Sequence, residues 1–117
     1  MKSLVKIFKA NDSKISIIDR IDGEFEVKRV FIIHMNKNSI RGGHGHYIQT
    51  QRMYCLSGKI NIILNTEDSE ESLLLNETES VLIKCNTWVE FQAIENSELL
   101  VCSSHYYDES DYFYEKY

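Results

Sequence analysis

Phe25, Val27, Arg29, Phe31 and Ile33 alternate with Glu26, Lys28, Val30, Ile32 and His34 in one unbroken run. A period of two places each set on its own face of an extended chain. β-branched and aromatic residues fill the run, so it predicts a long strand over residues 25–33. Shorter apolar runs follow at residues 53–56, 60–64, 73–75, 81–83, 88–93 and 99–102, and two more precede it at 7–8 and 15–18. Polar, turn-prone stretches separate them: Ser57-Gly58, 65–71, 76–79, 85–87 and 95–98. Strands at this spacing, with turn signals every roughly 8 to 12 residues, predict an all-β sandwich or barrel. Only the tail from Asp108 onward has the pattern of a helical turn, with Asp108 or Ser110 as its cap.

At 117 residues the chain has room for one domain, 1–117, and is too short for two. No repeat, linker or low-complexity segment interrupts it. A 43% hydrophobic content suits a packed core. No apolar run approaches the roughly 20 residues that span a bilayer, and the first six residues lack an apolar signal region, so a cytoplasmic protein without membrane contact is expected. A net charge of −5 with no basic cluster argues against a nucleic-acid partner. Cys55, Cys85 and Cys102 are odd in number and lie in apolar runs, which predicts buried free thiols in a reducing compartment.

The chemistry concentrates in Arg41-Gly42-Gly43-His44-Gly45-His46, followed after four residues by Gln51 and after six more by Gly58. On an extended segment His44 and His46 share a face, with Gly45 adding no bulk between them. Three readings of the pair are open. As metal ligands they need a third donor; Gln51 is a poor anionic ligand, and Glu90 is the one nearby alternative. As acid and base they suit neutral pH, since an unperturbed imidazole titrates near pKa ~6.5. As structural residues they cap a loop or bond within a polar patch.

This spacing resembles the first motif of the cupin jelly roll, with Gln51 in the place of its glutamate. Four blocks carry a closer resemblance, to the sugar-nucleotide 3,4-ketoisomerase family of cupins, the WxcM-like or FdtA/QdtA type. They are Lys28–Ile33, Arg41–His46 together with Gln51, Leu56-Ser57-Gly58, and Ser104-His105-Tyr106-Tyr107-Asp108-Glu109-Ser110-Asp111-Tyr112. They run in order from residue 28 to residue 112.

The resemblance implies a cupin-type double-stranded β-helix (jelly roll) with a short helical C-terminal tail. It also implies a metal-free, cofactor-free isomerase acting on a dTDP-linked 4-keto-6-deoxyhexose in deoxysugar and surface-polysaccharide synthesis. Carried onto this chain, His46 is the main acid/base and His44 its partner. Arg41 and Arg29 face the anionic substrate, and Gln51, Tyr47, Tyr54 and Trp88 are further substrate-binding candidates. A homodimer, with exchanged N-terminal strands in many members, is also implied.

The chain departs from the family twice. Phe31-Ile32-Ile33 stands where members carry tyrosine, and Lys84 and Val89 replace the proline and histidine of a Pro-x-x-x-Trp-His motif around Trp88. A dTDP-sugar 3,5-epimerase and a non-catalytic nucleotide-sugar binder are the alternatives. The tail 106–117, with five tyrosines and four acids, packs either over the pocket mouth or at a dimer seam.

Overall fold

The structure is a computed structural model that describes residues 4–19 and 25–117. Among the described residues eleven strands follow in chain order: β1 Leu4–Lys9, β2 Lys14–Asp19, β3 Arg29–Met35, β4 Ile40–His46, β5 Gln51–Ser57, β6 Lys59–Asn65, β7 Glu70–Asn76, β8 Ser80–Ile83, β9 Trp88–Ala93, β10 Ser97–Ser103 and β11 Tyr112–Phe113. A four-stranded sheet in the order β3-β10-β5-β8 faces a five-stranded sheet in the order β11-β4-β9-β6-β7, and every pairing is antiparallel. Consecutive strands alternate between the two sheets around much of the molecule, which is the jelly-roll arrangement expected from the sequence. β1 and β2 form a hairpin that pairs with neither sheet.

The two inner faces supply the core. Met53 and Cys55 from β5, Ile60, Ile62 and Leu64 from β6, Val89, Phe91 and Ala93 from β9, and Leu99 and Val101 from β10 interdigitate there. Each strand contributes alternate residues, as pleated sheets require. Cys55 and Cys102 are buried, as expected, and burial pushes the Cys55 thiol up to about 11 and raises that of Cys102. Neither is poised as a thiolate nucleophile. Cys85 departs from the expectation: it sits exposed in the turn before β9.

Strand limits follow the partner strand more than local propensity. The long run beginning at Phe25 pairs only from Arg29, because Ser103, opposite Arg29, is the last residue of β10. Lys28 adds one further bond from its N–H to the Ser103 carbonyl, at 2.9 Å. At its far end the strand extends to Met35, opposite Ser97. β7 grows from the expected 73–75 to Glu70–Asn76 because β6 pairs along its whole length. The helical tail reduces to one 3-10 turn, Glu109–Asp111, whose N-cap Asp108 accepts from the Ser110 N–H. The rest of the tail is extended and adds β11 to the edge of β4.

Candidate active site

The bulge in β4 decides which side chains face inward. Arg41 lies opposite Phe91 and His44 opposite Val89, both inner-face residues of β9. Arg41 and His44 are three apart, so an uninterrupted strand would send them to opposite faces. The register slips between Gly42 and His44, and the extra residue restores the inward parity. Glycines make this possible: Gly42 and Gly43 have φ of +90° and +76°, and a Cβ on Gly42 would lie 2.7 Å from the Val89 carbonyl. His46, two residues beyond His44, then falls on the same face, opposite Tyr112 of β11. Gly45 points the other way, where the Thr87 carbonyl and the Phe113 ring leave no room for a Cβ.

An open cleft of about 820 Å³ lies between the sheets. Arg29, Arg41, His44, His46, Gln51 and Tyr112 line its polar side, and Phe31, Met53, Val89 and Phe91 are among its apolar walls. The two imidazoles meet edge to face with centroids 5.2 Å apart. The Tyr112 ring packs against both, 4.4 Å from His46 and 4.8 Å from His44.

His46 is 5% exposed, and its Nδ1 lies 3.4 Å from Oδ2 of the equally buried Asp111. That contact is off the hydrogen-bonding direction, so both ring nitrogens of His46 are buried without a hydrogen-bond partner. Burial, then the neighbouring His44, lower the His46 pKa to about 4, against the opposing pull of Asp111; Arg29 adds a further lowering. His44 is lowered too, by burial, with a backbone hydrogen bond at Gly42 opposing. Both rings are therefore neutral at pH 7 and able to accept a proton.

Asp111 is held from three sides. Its Oδ1 accepts from the Ile48 N–H at 2.7 Å, and its Oδ2 accepts from the Gln49 N–H at 3.4 Å and from Gln49 Nε2 at 3.2 Å. Arg29 stacks on Phe31 and Tyr107 at 4.5 and 5.4 Å from the ring centroids. Neither Arg29 nor Arg41 has an ion-pair partner among the described residues, so both cations remain available to an anion entering the cleft.

Five of the eight site residues expected from sequence converge here: His44, His46, Arg29, Arg41 and Gln51. Three do not. Tyr47 is exposed on the far side of β4, against Phe113. Tyr54 is fully buried and has the opposite strand parity to Gln51 and Met53. Trp88 donates from Nε1 to the Tyr114 carbonyl at 3.1 Å, with Lys116 over its ring, so it anchors the tail. Asp111, Tyr112 and Gln49 were not singled out from sequence, although Asp111 and Tyr112 lie in the quoted terminal block. Among the described residues, no group of three or more His, Cys, Asp or Glu side chains is arranged to hold a metal ion.

Fold and site together define a cupin-type jelly roll with an imidazole–carboxylate pocket. The chain belongs to the FdtA family, described as WxcM-like, C-terminal, which matches residues 1–117. It is 28% identical over 110 residues to the TDP-4-oxo-6-deoxy-alpha-D-glucose-3,4-oxoisomerase of Aneurinibacillus thermoaerophilus, covering 92% of this chain and 79% of that protein. Among solved structures, the sugar 3,4-ketoisomerase QdtA of Thermoanaerobacterium thermosaccharolyticum, in complex with TDP, superposes with a TM-score of 0.78. Identity is 32%, over 97% of this chain and 85% of that one. The TDP-quinovose 3,4-ketoisomerase WlaRB of Campylobacter jejuni gives a TM-score of 0.79 at 30% identity, over 97% and 92% of the two chains.

Proposed function

We propose that this protein is a sugar-nucleotide 3,4-ketoisomerase that moves the carbonyl of a TDP-linked 4-keto-6-deoxyhexose from C4 to C3. The observation that carries this reading is His46: a neutral imidazole, buried, with both nitrogens unpartnered, beside a second imidazole and two unpaired guanidinium groups. Nδ1 lies 3.4 Å from Asp111 Oδ2, and the neighbouring negative charge favours a hydrogen on Nδ1 and leaves the Nε2 lone pair as the base.

Nε2 takes the proton from C3. The electrons of that C–H bond form a C3–C4 double bond, and the C4 carbonyl becomes an enolate oxygen. The C3 hydroxyl proton passes to the C4 oxygen, with His44 as the neighbouring carrier. Imidazolium His46 then returns its proton to C4 as the C3 carbonyl forms. Atoms and electrons balance without an oxidant. Asp111 offsets the positive charge gained by His46, and Arg29 and Arg41 stabilise the enediolate oxygen or hold the diphosphate. Phe31-Ile32-Ile33 stands where family members carry a strand tyrosine, and Tyr112 is a phenol in contact with both imidazoles.

Incubation with TDP-4-keto-6-deoxyglucose in deuterium oxide tests the assignment. Proton NMR should show the carbonyl at C3, with deuterium at C4 in the fraction of turnovers in which the His46 proton exchanges with solvent before its return. Deuterium at C3 and C5 with the carbonyl still at C4 would indicate a 3,5-epimerase. An unmoved carbonyl with no exchange at any carbon, with TDP bound, would indicate a binding protein.

The homodimer implied by the resemblance belongs to the same proposal. The β1–β2 hairpin pairs with neither sheet and exposes Phe8, Ile15 and Ile17, while the edge strand β3 exposes Val30 and Ile32. An unpaired edge next to apolar side chains favours cover by a second copy. Light scattering after size exclusion should give twice the 13.7 kDa chain mass. A monomer at micromolar concentration would rule the dimer out.

A further inference from the structure

Gln51 occupies the position where the cupin motif carries a glutamate, and its environment explains the amide. Its Nε2 donates twice, to Gln49 Oε1 and to Ser103 Oγ, each at 3.1 Å. Gln49 in turn donates from Nε2 to Asp111 Oδ2 at 3.2 Å. All four residues are buried: Gln49 is 1% exposed, Gln51 and Asp111 5%, and Ser103 not at all.

The direction of this chain is fixed from one end. The Asp111 carboxylate accepts and does not donate, so the Gln49 amide turns its NH2 toward Asp111 and its carbonyl toward Gln51. Gln51 must then present its NH2 to Gln49, and both of its hydrogens are committed. Its carbonyl oxygen is the polar atom left over, on a side chain that lines the cleft. A glutamate here would set carboxylate oxygens against the Gln49 carbonyl and add a second negative charge near Asp111.

We propose that Gln51 reads the sugar ring: its carbonyl oxygen, oriented by the Asp111–Gln49 chain, accepts a hydrogen bond from a ring hydroxyl of the bound hexose. This rests on the sugar-nucleotide reading above. A neutral acceptor suits the task, because it selects for a hydroxyl without altering the charge that tunes His46. A site that bonds a substrate hydroxyl discriminates strongly, since the buried acceptor is stranded when the hydroxyl is missing.

Calorimetric titration of the full-length protein with TDP and with the unreactive TDP-glucose tests this without turnover. Gln51→Met should lower the TDP-glucose affinity about 10-fold or more while TDP affinity stays within twofold, and kcat/KM on the 4-keto sugar should fall in parallel. Gln49→Met leaves Gln51 in place but releases its amide, and should give a smaller loss in the same direction. It carries the test alone if Gln51→Met does not fold. An unchanged ratio of the two affinities in a folded variant, or equal loss for both ligands, overturns the assignment. If the wild type leaves the 4-keto sugar unreacted, the isomerase reading fails while the titration still decides the role of Gln51.

Discussion

Exchanging His46 for asparagine is expected to lower kcat on TDP-4-keto-6-deoxyglucose by about 10²- to 10⁴-fold, the range of a positioned acid/base. TDP affinity should stay within a few-fold, because Arg29 and Arg41, which face the anion, are untouched. Single-turnover kinetics with a parallel TDP titration check both parts. A proportionate loss of TDP binding, or turnover within twofold of wild type, would argue against the role. The pH profile provides a second reading. Base catalysis needs neutral His46, so kcat/KM should hold as pH falls through 6.5 and drop only near the His46 pKa of about 4. The same shift links to stability. Between pH 6.5 and 4 the unfolded chain binds a proton that the folded chain refuses, so stability falls as pH drops through that window. The change is on the order of 3 kcal/mol for His46. His44, lowered in the same direction, adds to it. The asparagine variant should lose most of this slope in pH-dependent thermal melts.

Apolar runs located most strands because each sheet buries one face against the other, but not β4, whose Arg-Gly-Gly-His-Gly-His offers no apolar alternation, nor the short β11. Strand ends were less legible, since Arg29 and Met35 are defined by where β10 begins and stops. The convergence of His44 and His46 followed from spacing alone. Arg41 joins them only through the slip at Gly42-Gly43, a bulge that the paired glycines hint at but whose register needs the partner strand. Tyr47 and Tyr54 are near the motif in sequence, and Trp88 sits in the segment compared with the family's second motif, yet strand parity and the docking of the tail carry them away from the cleft. Asp111 and Tyr112 stand more than sixty positions from His46, and only the pairing of β11 with β4 brings them beside it. Local pattern has no access to that contact. The terminal block preserved its residues without disclosing which of them turn inward.

Asp111→Asn is expected to cut kcat about 100-fold or more while leaving TDP affinity within a few-fold. The carboxylate accepts from Ile48 N–H, Gln49 N–H and Gln49 Nε2, and faces His46 Nδ1 with its remaining capacity. An asparagine has one acceptor oxygen for these donors, so its NH2 stands either at the Oδ1 position, against the Ile48 N–H, or at the Oδ2 position, against His46 and both Gln49 donors. If it turns toward His46, Nδ1 becomes an acceptor and the ring hydrogen moves to Nε2, which removes the base from the cleft. Substitution of aspartate by asparagine beside a catalytic histidine reaches about 10⁴-fold in serine proteases for this reason. If the NH2 takes the Oδ1 position, the Ile48 N–H loses its acceptor and the 3-10 turn loosens, which should also lower the melting temperature. Either orientation removes the negative charge that raises the His46 pKa, so the acid limb of the variant should lie below that of the wild type. Residual activity with an acid limb moved upward, or kcat within twofold of wild type, would show that His46 works without this carboxylate. The buried carboxylate, bonded to Ile48 and Gln49, would then serve the fold of the tail alone.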